Sequence, residues 1–111
     1  PQKRVLRPSD VSFASICAKE AACREAQIHY LKIIEDIETT PELLTTLTAY
    51  LLDHESSMAN TAKALCCHIN TIKYRLNSIR DNTGYSPSKP ADVYPLLIAV
   101  AINRMKNSEN E

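Results

Sequence analysis

The sequence predicts an all-α protein: a small domain of about five helices, preceded by a helical extension. Three observations predict it. Apolar residues recur at intervals of three and four rather than two, which lines one side of a helix and not one face of a strand. The 111 residues hold one Gly and one Phe yet are 44% hydrophobic, which calls for an aliphatic core packed between helices. Pro8, Thr40-Pro41, the lone Gly84, Pro87 and Pro90 fall between the apolar segments, where helices start and stop. The length allows one domain.

The elements follow in order. Residues 1–8, PQKRVLRP, read as a basic arm that Pro8 ends. Ser9 or Asp10 can cap a helix carrying Phe13, Ile16 and Cys17, then Ile28, Leu31, Ile34 and Ile37. No Gly or Pro forces a stop inside it, so one long helix and two helices parted near Gln27 both fit. Glu38-Thr39-Thr40-Pro41 ends that stretch, and Thr40 is placed to cap the next helix with Pro41 at its first position. Leu43, Leu44, Leu47, Tyr50 and Leu51 form its stripe, and it is expected to end near Asp53 or His54. Asn82-Thr83-Gly84, Pro87 and Pro90 mark the loop before a last helix, roughly Asp92 to Met105. Val93, Leu96, Leu97, Val100 and Ala101 are available for burial there, and Pro95 is tolerable only within a first turn. Residues 1–40 thus read as arm and extension, 41–106 as the compact domain, and 107–111 as a disordered tail. The expected core holds Leu43, Leu47, Leu51, Leu65, Ile72, Leu76, Ile79, Leu97 and Val100.

The densest information lies in Ser56 to Gly84, SSMANTAKALCCHINTIKYRLNSIRDNTG. Ser56 or Ser57 can cap a helix with Met58, Ala62 and Leu65 on one face; Cys66 and Cys67 occupy a tight turn; a second helix, about residues 68–81, carries Ile72, Leu76 and Ile79 inward. This is the layout of a helix-turn-helix, which places its second helix in the DNA major groove. Subtracting the inner face leaves His68, Ile69, Asn70, Lys73, Tyr74 and Asn77 pointing outward. His and Asn can bond base edges, Lys and Arg reach phosphate or guanine, and a Tyr hydroxyl bonds phosphate.

The charges are sorted along the chain although the net charge is zero. Residues 1–34 carry six basic and three acidic side chains, residues 35–57 six acidic and none basic, and residues 58–85 four basic against Asp81. The helix-turn-helix is thus locally positive, and binding follows the local field more than the total. A surplus this modest predicts weak binding from one copy and useful binding from a homodimer. No run of about 18 apolar residues offers a membrane span, and nothing at the start resembles a signal peptide. The chain opens on Pro1 without Met, as expected of a piece of a larger protein. Four cysteines in an aliphatic helical protein read as reduced, buried small hydrophobes in a cytoplasmic setting. Neither the six-residue intervals of Cys17, Cys23 and His29 nor the adjacent Cys66, Cys67 and His68 make a chelating pattern, so no metal or cofactor is expected.

The segment Leu43 to Met105 resembles the C-terminal helix-turn-helix domain of the PucR family of bacterial transcription regulators. An Ala-x-x-Leu helix followed by His-x-Asn-Thr-aliphatic-x-Tyr-Arg-Leu is matched by Ala62, Leu65, His68, Asn70, Thr71, Ile72, Tyr74, Arg75 and Leu76. A weaker similarity extends to the Fis-type helix-turn-helix. The resemblance covers a little over half the chain. It implies sequence-specific binding of double-stranded DNA at a catabolic operon, by a domain at the end of a regulator whose upstream part senses a signal. Two departures stand out. Ile69 replaces a usual basic residue and could touch a thymine methyl. Cys66 replaces a usual turn Gly, and a non-Gly residue in the left-handed region costs on the order of 1 kcal/mol.

Each outward residue has two readings. His68 and Asn70 can cap the second helix, contact DNA, or do both. Thr71 can bond a phosphate or stand neutral on the surface. Lys73 is the best placed for base or phosphate, against a merely solvated lysine. Tyr74 can bond phosphate or lay its ring on the preceding helix. Arg75 can bind phosphate or stitch the acidic Leu43–Asp53 helix to the second helix through Asp53 or Glu55. Asn77 extends the outward stripe, and Lys63 would flank the backbone. The apolar residues Ile28, Leu31, Ile34 and Ile37 exceed what a minimal helix-turn-helix covers, and part of them, with the last helix, is a candidate dimer interface. The rival to DNA reading is a helical protein-interaction or dimerisation module, which zero net charge and Ile69 favour. An enzyme is remote: one Gly leaves no phosphate-cradling loop, and Cys67 beside His68, the one suggestive pair, is expected in the core.

Overall fold

The computed structural model describes residues 23–109; the basic arm, the cap at Ser9 or Asp10, and Phe13, Ile16 and Cys17 lie outside the described residues. The described residues form five α-helices and no strand: α1 Arg24–Ile33, α2 Pro41–Thr48, α3 Met58–Ala64, α4 Ile69–Thr83 and α5 Pro90–Glu109. A 3-10 turn, Glu35–Ile37, follows α1, and a wider π turn, Ala49–Asp53, prolongs α2.

Local chemistry sets most of the boundaries. Cys23 is extended (φ −89°, ψ 115°) where α1 begins, four residues ahead of the break weighed near Gln27. Ile34 leaves helical backbone at ψ 7°, and the chain tightens into the 3-10 turn. Pro41 takes the first position of α2, as expected, but Thr40 holds the cap position without a side-chain capping bond. The hydroxyls of Thr46 and Thr48 instead donate back to the carbonyls of Glu42 and Leu44, at 2.7 and 2.8 Å. The amide of His54 reaches the Ala49 carbonyl at 3.0 Å, five residues back, and closes the π turn. Two left-handed residues, Glu55 (φ 47°) and Ser56 (φ 64°), then reverse the chain. Gly84 ends α4 at φ 80°, its amide bonding the Arg80 carbonyl at 2.9 Å.

α5 is the centre of the packing. It lies against α1, α2 and the π turn, while α4 packs across α2, α3 and the 3-10 turn. Leu96, Leu97, Ile98, Ala99 and Val100 are buried in unbroken succession, and Ile102 follows. A helix covered on one side cannot bury five consecutive residues; neighbours on several sides are required. The stripe reading therefore missed Ile98, Ala99 and Ile102, whereas Val93 and Ala101 are only half-buried. Pro95 is the sixth residue of α5, in its second turn rather than its first, so the ladder lacks one donor inside the helix. α5 also starts earlier and runs longer than expected, taking in residues 107–109 of the segment read as a tail.

Leu43, Leu47, Leu51, Ile72, Leu76, Ile79, Leu97 and Val100 join the core as expected; Leu65 is half-buried and packs against it. Ile33, Ile34 and Ile37 share the same core. The cysteine expectation is corrected. Cys23 and Cys66 are exposed, and Cys67 is half-buried against the core.

One ion pair closes the far end. Arg104 on α5 forks onto Asp53, Nη1 to Oδ1 at 3.0 Å and Nη2 to Oδ2 at 2.8 Å. The hydrogen bonds from Arg104 hold the Asp53 carboxyl below its usual 3.8, opposed by partial burial.

Two outcomes follow. Replacing Ile98, fully buried, with Ala is expected to cost about 3 kcal/mol in urea unfolding. Because the folded Asp53 carboxyl is depressed, its contribution is complete above 3.8 and is lost as pH falls below it. Both side chains are nearly half exposed, so solvent screening limits the effect to below about 1 kcal/mol. Urea midpoints at neutral pH and near pH 3 should therefore differ less for Asp53→Asn than for the unchanged chain.

Candidate nucleic-acid interface

The helix-turn-helix is built from α3, a turn and α4. Ser57 caps α3, its hydroxyl accepting from the Asn60 amide at 3.1 Å. Ala62 and Thr61 are buried at the crossing with α4, and the Thr61 hydroxyl donates to the Ser57 carbonyl at 2.7 Å. In the turn, the amides of Cys66 and Cys67 bond the carbonyls of Lys63 and Ala62 at 3.2 and 3.0 Å. Cys66 sits at φ 56°, so the left-handed position expected of a Gly is occupied by a side chain and carries its strain.

His68 opens α4. Its backbone is extended (φ −74°, ψ 149°), and Nδ1 accepts from the Asn70 amide at 3.0 Å. His68 is therefore the cap and Asn70 is not. An accepting Nδ1 assigns the ring hydrogen to Nε2, which leaves an exposed donor at the positive end of a helix dipole.

Ile72, Leu76 and Ile79 bury the inner face of α4. On the other side Asn70, Lys73, Tyr74 and Asn77 recur at three- and four-residue steps, all exposed, with His68 at the head of the stripe. Tyr74 is 73% exposed, so its ring does not pack on the preceding helix. Lys63, on α3, and Lys73 are exposed and make no ion pair among the described residues. Thr71 is half-buried at the edge of the stripe.

Two placements differ from expectation. Ile69 does not point outward: it is half-buried and packs against the core, because first-turn side chains lean back toward the preceding segment. Arg75 stitches α4 to α2, but through Thr46 rather than Asp53 or Glu55. Its Nη1 donates to the Thr46 hydroxyl at 3.2 Å, and Asp53 is taken by Arg104. The Thr46 hydroxyl, fully buried, thus both donates and accepts. Sequence reasoning did not find Thr46; the pattern that marks it is a hydroxyl inside an otherwise leucine-rich stripe. Arg80 pairs with its neighbour Asp81 at 3.2 Å on the surface.

The six acidic side chains of residues 35–57 are all exposed, and they sit on the elements behind the inner face of α4 or on the loop beyond them. From His68 to Asn77 the outward stripe of α4 therefore bears lysine, amides and rings, and a carboxylate, Asp81, comes only one turn later, paired with Arg80.

Residues 43–102 match the family model of the PucR C-terminal helix-turn-helix domain. The chain belongs to that family. It is also 40% identical, over 65 residues, to uncharacterised proteins of Mycobacterium bovis and of two strains of Mycobacterium tuberculosis. The matched stretch is 59% of this chain but 16% of the length of those relatives. No solved structure matches it. Among the described residues, no helix is long and apolar enough to cross a membrane.

The cap makes a sharp prediction. His68→Ala should cost about 1 kcal/mol of stability in urea unfolding, while His68→Asn, which restores an acceptor at the same place, should recover most of it.

Proposed function

We propose that this PucR-type domain is the DNA-reading part of a cytoplasmic bacterial transcription regulator, with α4 seated in the major groove. The observation that carries the reading is the exposed, carboxylate-free stripe of His68, Asn70, Lys73, Tyr74 and Asn77 on a helix whose opposite face is locked into the core. Asn70 and Asn77 supply the paired donor and acceptor that match adenine, and Lys73 reaches guanine or phosphate. The Nε2–H of His68, the Tyr74 hydroxyl and the Thr71 hydroxyl bond phosphates beside the start of α4. Lys63 flanks the backbone from α3. Arg75 keeps donors beyond the one given to Thr46, and these serve the phosphate side of the groove.

The modest local charge favours two copies reading an inverted repeat, with α4 helices about 34 Å apart. That the matched segment is a small share of its relatives supports a longer polypeptide; the signal-sensing region upstream and the catabolic operon as target come into this reading from the family alone.

Fluorescence anisotropy against random duplexes and against the gene's own upstream DNA, at two salt concentrations, tests this. Binding should weaken steeply with salt and favour the upstream DNA. Lys73→Ala should lower affinity and, where the contact is to phosphate, reduce the salt slope by about one. Asn70→Ala should cost about 1–3 kcal/mol on the preferred site and little on random DNA. Absence of binding at low salt, with self-association intact, would instead make this a protein-interaction module.

A further inference from the structure

We propose that the exposed side of α1 docks a second copy of this chain, through an antiparallel pairing of two α1 helices. The fold sorts the N-terminal apolar residues into two groups. Ile33, Ile34 and Ile37 are spent on the core, whereas Ile28 is 55% exposed and Leu31, half-buried, packs against the core with part of its surface left open. Ile28 and Leu31 line a shallow groove of about 310 Å³ with Lys32, Glu35 and Glu38.

The occupant follows from the charge pattern on that side. Arg24, Ile28 and Leu31 follow one another at steps of four and three along α1 and so share one face, and Glu35, on the 3-10 turn just beyond it, lines the same groove as Ile28 and Leu31. The row reads positive, apolar, apolar, negative, and each apolar residue stands four positions from its charged neighbour. Turned end for end, the row is complementary to itself. A two-fold axis midway between Ile28 and Leu31 sets Arg24 of each copy against Glu35 of the other, and Ile28 against Leu31. This is an isologous, closed contact. A parallel pairing would set like charges together.

Both charges are exposed, and neither makes an ion pair among the described residues. Each also stands at the unfavourable end of its own helix: Arg24 at the positive N-terminal end and Glu35 just past the negative C-terminal end. Antiparallel pairing brings each beside the favourable end of the other copy's helix. α1 packs on α5, and the 3-10 turn that carries Glu35 meets α4 from the core side, where Ile37 is buried with Ile72, Leu76 and Ile79, so the contact leaves the outward stripe of α4 open. The inference rests on the reading that two copies act together, and it names the surface that joins them.

The test is sedimentation equilibrium of the whole 111-residue chain without DNA, which separates it from the DNA-reading proposal. The unchanged chain should show a concentration-dependent monomer–dimer equilibrium. Arg24→Glu and Glu35→Arg should each weaken it about ten-fold, since two attractive contacts become repulsive. An equimolar mixture of the two variants, and the double variant, should both regain dimer, because opposite charges face again. Circular dichroism reports whether each variant keeps its helices. A chain that stays monomeric across the series would overturn the proposal and leave residues 1–22, or a neighbouring part of a longer polypeptide, as the cover of this face. Single variants that dimerise as well as the unchanged chain would also overturn it. A dimer that follows this pattern yet fails to bind DNA would count against the DNA reading alone.

Discussion

The burial of α5 on nearly every side is the constraint on which the rest of the structure depends. Five consecutive buried residues can be satisfied only if α1 and the α2 segment close on it from different directions. Once α2 and its π turn are fixed in that way, they present a second apolar surface, and α4 lays Ile72, Leu76 and Ile79 across it. The helix-turn-helix is thus mounted on the core, and its outward stripe is what remains after the mounting is complete. The Thr46–Arg75 bond supplements that apolar contact with one directional link between the two helices.

Rigidity at the site comes from short-range chemistry on either side of the Cys66–Cys67 turn. Ser57 and His68 satisfy amides at the starts of α3 and α4, and Gly84 closes the far end of α4. A single left-handed residue between the helices sets the angle at which they meet. That angle fixes where Asn70, Lys73 and Asn77 stand relative to Lys63 across the turn, so geometry rather than charge density defines this surface.

Much of this is legible in the sequence. The caps at Ser57 and Gly84, Pro41 at the start of α2, and the 72–76–79 stripe are all local signals, and local signals survive without knowledge of the tertiary fold. Burial of Ile98, Ala99 and Ile102 is not local: it depends on how many neighbours surround α5, and periodicity registers only one covered face. The Asp53–Arg104 pair spans 51 positions and leaves no trace in any window. Ile69 and the cysteines failed for a different reason. Their exposure is set by backbone direction, the first turn of α4 for Ile69 and a left-handed turn for Cys66, and not by how apolar the side chain is. The outward residues of α4 were found by subtraction, which works because the inner face of that helix is a clean stripe.

The sorting of charge has a mechanical consequence. The exposed carboxylates of residues 35–57 lie largely on elements behind α4, while the lysines of the helix-turn-helix stand in front. A body with no net charge feels no overall pull from a distant polyanion, but one whose charges are separated feels a torque. Within a screening length, about 8–10 Å at physiological salt, that torque turns the α4 stripe forward and the acidic side away. In the proposed encounter with DNA, orientation therefore comes first, and attraction follows only once the stripe faces the polyanion and the field is steep, within that same screening length.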